Sequence, residues 1–197
     1  MADHVALSFT ATLQVAEAPI NVLGDMTTGP VMLVSPHQAS GYAVEGATTL
    51  GMLNGTETDW HHGQEIGLIT FEQAAQPAAL LLYFRHGDAG YRLYLRSGPQ
   101  AGQGVFITDD GLVNAQPIKA EDPSLWALTD AQTGEAFDLT QLENGRREIQ
   151  LASADGHPLE VHNLHPVGGF LACYPAAQQG TLSLIIQERG VDWLKPA

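Results

Sequence analysis

The sequence predicts an all-β protein in which one four-stranded unit is written three times and closed into a barrel. Three observations carry that expectation. Apolar and polar residues alternate in short runs bounded by Asn-Gly, Asp-Gly and Gly-Asp turns, the local signature of β-hairpins. The tryptophans Trp60, Trp126 and Trp193 stand 66 and 67 residues apart. No stretch carries a sustained helical period of apolar residues, so helices are not expected.

The unit is plainest from Ala136 to Trp193. Phe137 and Leu139 alternate with polar residues, Asn144-Gly145 marks a tight turn, Ile149 and Leu151 alternate again, and Asp155-Gly156 marks a second turn. Aligned on the tryptophans, the first strand of each unit reads HVALSF from His4, EIGLIT from Glu65 and AFDLTQ from Ala136. The second reads PINVLG from Pro19, ALLLYF from Ala79 and REIQLA from Arg147. Turns at Gly24-Asp25, Gly87-Asp88 and Asp155-Gly156 follow, then PVMLVS from Pro30, YRLYLR from Tyr91 and PLEVHN from Pro158. GYAV from Gly41, GVFI from Gly104 and GFLA from Gly169 come next, and a last strand supplies Leu53, Ile118 and Ile186. The repeats run roughly over 1–60, 61–126 and 127–197 of one domain. Segments such as Gln116 to Ser124 and Gly51 to Gln64 read as long loops. The apolar run from Ala78 to Phe84 is too short to span a bilayer and reads as a strand buried on both faces. Each unit alone would expose an apolar face; closing three of them buries it and removes sheet edges.

The pattern resembles the β-trefoil superfamily over nearly the whole chain. The segment FDLTQLENGRREIQLASADGHPL is similar to trefoil repeats of ricin-B-type lectins and fascin-like actin-bundling domains. That resemblance implies three pseudo-symmetric four-stranded repeats of about 66 residues with neighbouring chain ends. A three-fold β-prism and a plain β-sandwich are the alternative architectures. The chain lacks the Gln-x-Trp signature of ricin-type lectins.

Composition narrows function. Asp and Glu number 22 against 8 Lys and Arg, a formal charge of −14, which repels nucleic acid and anionic membrane surfaces. No basic region followed by an apolar run opens the chain, and the single cysteine, Cys173, rules out an intrachain disulfide, so a cytoplasmic location is expected, with non-classical export as the other route. Walker, dinucleotide-binding, nucleophile-elbow and zinc-protease motifs are all missing, so no enzyme, cofactor or metal is expected. The eight histidines, His4 and His86 among them, read as surface and turn residues.

The resemblance implies a lectin-like binder of glycans or glycoproteins with up to three sugar sites. In such lectins an aspartate beside a turn accepts sugar hydroxyls while an aromatic ring covers the C–H face. Asp25, Asp88 and Asp155 occupy the corresponding turns, and Tyr42, Phe106 and Tyr174 are the candidate platforms. The same aspartates suit hairpin turns in their own right. The alternative is a protein-binding trefoil, such as a protease inhibitor or a cytoskeletal or toxin-associated module, acting through a long loop.

Overall fold

A computed structural model describes residues 3–37 and 41–193. The outermost residues of the first and last proposed repeats, and residues 38–40, lie outside the described residues. In chain order the strands are β1 (Phe9–Val15), β2 (Ala18–Pro19), β3 (Asn21–Val22), β4 (Thr27–Thr28), β5 (Met32–Val34), β6 (Ala43–Glu45), β7 (Leu50–Leu53), β8 (Glu72–Gln73) and β9 (Leu82–Gly87). There follow β10 (Gly90–Leu95), β11 (Gly104–Ile107), β12 (Val113–Gln116), β13 (Leu125–Asp130), β14 (Arg146–Ser153), β15 (Leu159–Leu164), β16 (Gly168–Cys173) and β17 (Leu182–Arg189). One helix, α1 (Glu57–Glu65), lies between β7 and β8.

Six strands close into an antiparallel barrel in the order β1-β9-β10-β13-β14-β17 and back to β1. Alternation explains the filling. Phe9, Ala11 and Leu13 of β1, Leu82 and Phe84 of β9, Tyr91, Leu93 and Leu95 of β10, and Trp126 and Leu128 of β13 all enter one buried cluster. Side chains thus fill the interior, as a barrel this small requires. Phe9 lies where β1 meets both neighbours, paired with Phe84 on one side and Arg189 on the other. The hairpin Gly87-Asp88-Ala89-Gly90 joins β9 to β10 with a two-residue loop. Gly90 adopts φ +136°, and a Cβ there would run into the Trp126 carbonyl oxygen.

A second sheet, β15-β16-β7-β3, stands between this core and a smaller one. In β16, Leu171 and Cys173 join the barrel cluster, whereas Phe170 and Ala172 join the other. The smaller core is completed by Leu23, Met26, Leu33, Trp60, Phe71 and Val167. No helix among the described residues is long and apolar enough to cross a membrane.

The fold is all-β, but the trefoil and its three repeats are corrected. The barrel takes β1 from the first proposed repeat, β9 and β10 from the second, and β14 and β17 from the third, while β13 straddles the boundary at Trp126. None of the three proposed first strands is a strand along its length: in HVALSF His4 to Leu7 is a turn and only Phe9 enters β1, Glu65 ends α1, and Leu139 sits in a short 3-10 helix (Leu139–Gln141). The apolar-x-Leu spacing that linked them has three different causes. Val5 and Leu7 lie in that turn, Ile66 and Leu68 are exposed after the helix, and Phe137 and Leu139 are buried in the barrel cluster. The tryptophans share no environment either. Trp60 lies on α1 against Phe71, Trp126 is fully buried inside the barrel, and Trp193 packs outside it against Tyr83, Tyr94 and the Arg96 guanidinium. Asn144-Gly145 does not join two paired strands; the strand after it, β14, pairs with β13 and β17.

The supposed loop from Gly51 to Gln64 is β7 and α1. Thr56 caps the helix, its hydroxyl accepting from the Asp59 amide while the Asp59 carboxylate accepts from the Thr56 amide. Only Trp60 and Gly63 of α1 are buried, which leaves no apolar stripe for a periodicity argument to find.

Candidate functional site

At one mouth of the barrel, where β1 begins and β9 turns into β10, a cleft of about 290 Å³ opens. Strand alternation puts Leu82 and Phe84 inside the barrel and leaves His86 at its rim. The N-terminal turn brings His4 over it. The His4 and His86 rings stack at 5.1 Å with 28° between their planes. Their Nδ1 atoms lie 2.9 Å apart, and His4 Nε2 lies 3.1 Å from Asp88 Oδ1. Below them the Tyr91 ring meets His86 edge-on at 5.0 Å.

Ser8 ties the turn to the strand: its hydroxyl donates to the His4 carbonyl at 2.6 Å and accepts from the His86 amide at 2.9 Å. Arg85, Arg92 and Asp192 complete the charged lining. The Arg92 guanidinium also donates to the Pro123 carbonyl and faces Asp122 at 3.8 Å.

Burial pushes the His86 imidazole below its ordinary pKa, His4 adds to that fall, and Asp88 opposes it. Burial, with the Asp138 charge, pushes the Tyr91 phenol up to about 12. With both rings neutral, the carboxylate of Asp88 fixes the hydrogen of His4 on Nε2. His4 Nδ1 then accepts, His86 donates from Nδ1, and His86 Nε2 is left as an acceptor. The cleft therefore offers hydroxyl ligands both donors and acceptors.

Of the six residues singled out from the sequence, Asp88 alone lines this cleft. Asp25 ends a 3-10 turn (Leu23–Asp25) and accepts from the Gln100 amide group at 3.0 Å. Asp155 lines a different recess of about 280 Å³ with Ser153, His157 and Cys173. Phe106 lies half-buried on β11 beside Gln116 and Lys119. The Tyr42 hydroxyl donates to Asp110 at 2.6 Å, and that of Tyr174 to Glu160 at 2.5 Å. No hydrogen bond or ring contact joins any two of the six among the described residues. His4, Ser8 and His86 are the residues that sequence reasoning missed. Gly87-Asp88 marked the hairpin, but nothing local ties it to a histidine 84 positions earlier.

No group of three or more His, Cys, Asp or Glu among the described residues is placed to hold a metal ion. Comparison with family models, curated proteins and solved structures finds no match to this chain.

Proposed function

We propose that the protein is a non-enzymatic binding protein that holds one small polyhydroxylated ligand, a sugar or related polyol, in the barrel-mouth cleft. The observation that supports this reading is the mixed lining: the carboxylates of Asp88 and Asp192, the guanidinium groups of Arg85 and Arg92 and the imidazoles of His4 and His86 all border about 290 Å³. That volume lies near the lower end of the usual ~300–1,000 Å³ for ligand clefts, which suits a single ring. Balanced donors and acceptors favour neutral hydroxyls over a strongly charged ligand. The expectation of three equivalent sites rested on the repeat, and one site is proposed in its place.

Titration with mono- and disaccharides, followed by NMR and calorimetry, tests the proposal. Saturable binding is expected. Asp88→Asn should weaken it about tenfold or more, the worth of a charge-assisted hydrogen bond of ~1.5–3 kcal/mol, whereas Asp25→Asn and Asp155→Asn should leave it unchanged. Absence of binding at millimolar sugar overturns it. A second reading, protein binding through the loop from Gln116 to Ser124, is favoured by the exposed Ile118 near its start. A partner captured in excess sugar would support that one.

A further inference from the structure

We propose that the N-terminal turn is an acid-released clasp over the barrel-mouth cleft, fastened by a His4–His86 pair that accommodates one added proton but not two. A separation of 2.9 Å between the two Nδ1 atoms leaves room for one hydrogen. His4 Nε2 faces a carboxylate, so it carries a hydrogen of its own. In the neutral pair His86 donates and His4 accepts. A first added proton is tolerated, because a His4 imidazolium can donate to Asp88 and His86 together. A second puts two N–H groups head to head and two like charges in stacked rings.

The rest of the turn is held from within. Asp3 Oδ1 accepts from the amides of Val5 and Ala6, and the Asp3 carbonyl accepts from Leu7. Among the described residues, the hydrogen bonds from residues 3–7 to the barrel strands and their hairpin are those of the His4 ring, with the His4 carbonyl held by Ser8. Splitting the histidine pair therefore removes the ring's bond to β9.

Other charged and titratable groups surround the pair. Asp88 favours the charged form of His86, Arg85 and Arg92 line the same cleft, and Asp192 borders it from the C-terminal segment. Burial raises the Tyr83 phenol, and Tyr91 titrates at about 12, so both stay neutral. A role in releasing ligand on acidification rests on the cleft reading above. The opening itself does not, and it is tested without ligand.

The test is an NMR titration of the imidazoles in the ligand-free full chain, with amide exchange followed at Leu7 and Ser8. The pair is expected to take up its protons in two steps separated by more than about one pH unit. Protection of both amides, corrected for intrinsic exchange, should fall about tenfold or more between about pH 7.5 and 5. In His86→Gln, which cannot charge, that fall should vanish. Independent titration of His4 and His86 at one shared midpoint, or pH-independent protection in the wild type, overturns the proposal. If His86→Gln does not fold, the wild-type titration decides alone. Two-step titration with no sugar binding would keep the clasp and sink the ligand reading.

Discussion

Replacing Phe9 by alanine tests the closed barrel at the place where it shuts. The ring is fully buried. It stacks on Phe84 at 4.7 Å, and meets Tyr91 and Phe137 at 5.7 Å each. The backbone of Phe9 is laddered to β9 and to β17 at once, so neither neighbour can move in to fill the space. Truncating a buried Phe costs ~3–5 kcal/mol, with the upper part of that range where the site cannot collapse. We expect about 4 kcal/mol, and in a chain of this length about 8–16 °C in Tm. Urea unfolding followed by the fluorescence of the tryptophans measures it, with the denaturant slope unchanged if the unfolded surface is the same. Phe106→Ala, at a half-buried position on β11, should cost no more than ~1.5 kcal/mol. A loss below ~1.5 kcal/mol for Phe9→Ala would mean that the ring is not locked between closed strands, and would refute the barrel argument.

Other expectations concern single sites. Gly168→Ala should destabilise by about 3 kcal/mol, because the new Cβ would meet the Met52 carbonyl oxygen, backbone that cannot swing aside; thermal unfolding reads this directly. Thr10→Val should raise Tm by about 2–4 °C, since the fully buried Thr10 hydroxyl has no partner among the described residues and Val removes the polar atom at equal shape. Cys173 should react with a thiol reagent at least about a hundredfold more slowly in the native protein than in urea: its thiol is buried, donates to the His157 carbonyl at 3.3 Å, and is pushed up in pKa by burial. At Asp130, burial works to raise the carboxyl, but the Arg147 guanidinium at 2.5 Å and the amides of Gln132 and Thr133 outweigh it, so the group titrates below its ordinary value. A depressed carboxyl stabilises above the unfolded value near ~4 and loses that contribution as pH falls through the folded one. Urea midpoints between about pH 5 and 2 should therefore drop more gently in Asp130→Asn than in the wild type.

Alternation in the sequence located strands well where the strand has one wet face or a tight turn beside it. REIQLA and GFLA fall within strands, YRLYLR does so as far as Leu95, and Gly87-Asp88 falls at a hairpin. The run from Ala78 to Phe84 was legible in part: Leu82 to Phe84 are buried on both faces because Trp193 covers Tyr83 from outside. What alternation does not encode is the partner. A residue's phase says which face it takes, while pairing is decided by chain segments far away, such as Phe9 with Arg189. The evenly spaced tryptophans were therefore compatible with a repeat without requiring one. The helix had a visible start in Thr56-x-x-Asp59, but its small buried face gave no period to notice. Asp88 was recognisable as a turn aspartate; its role beside His4 and His86 arises only when the N-terminal turn folds onto the hairpin.

The lateral neighbours Phe9–Val15 and Leu182–Arg189 carry a cost during synthesis. As the chain leaves the ribosome, one edge of its earliest long strand must wait, hydrogen bonds unmade, until residues near 189 emerge. Contacts so distant in sequence form slowly, and bare strand edges recruit other chains meanwhile. Yield in a crowded cell should thus depend on how long that gap stays open. Slowing translation over the second half of the message would lengthen it and favour aggregates, even though the finished barrel is unchanged.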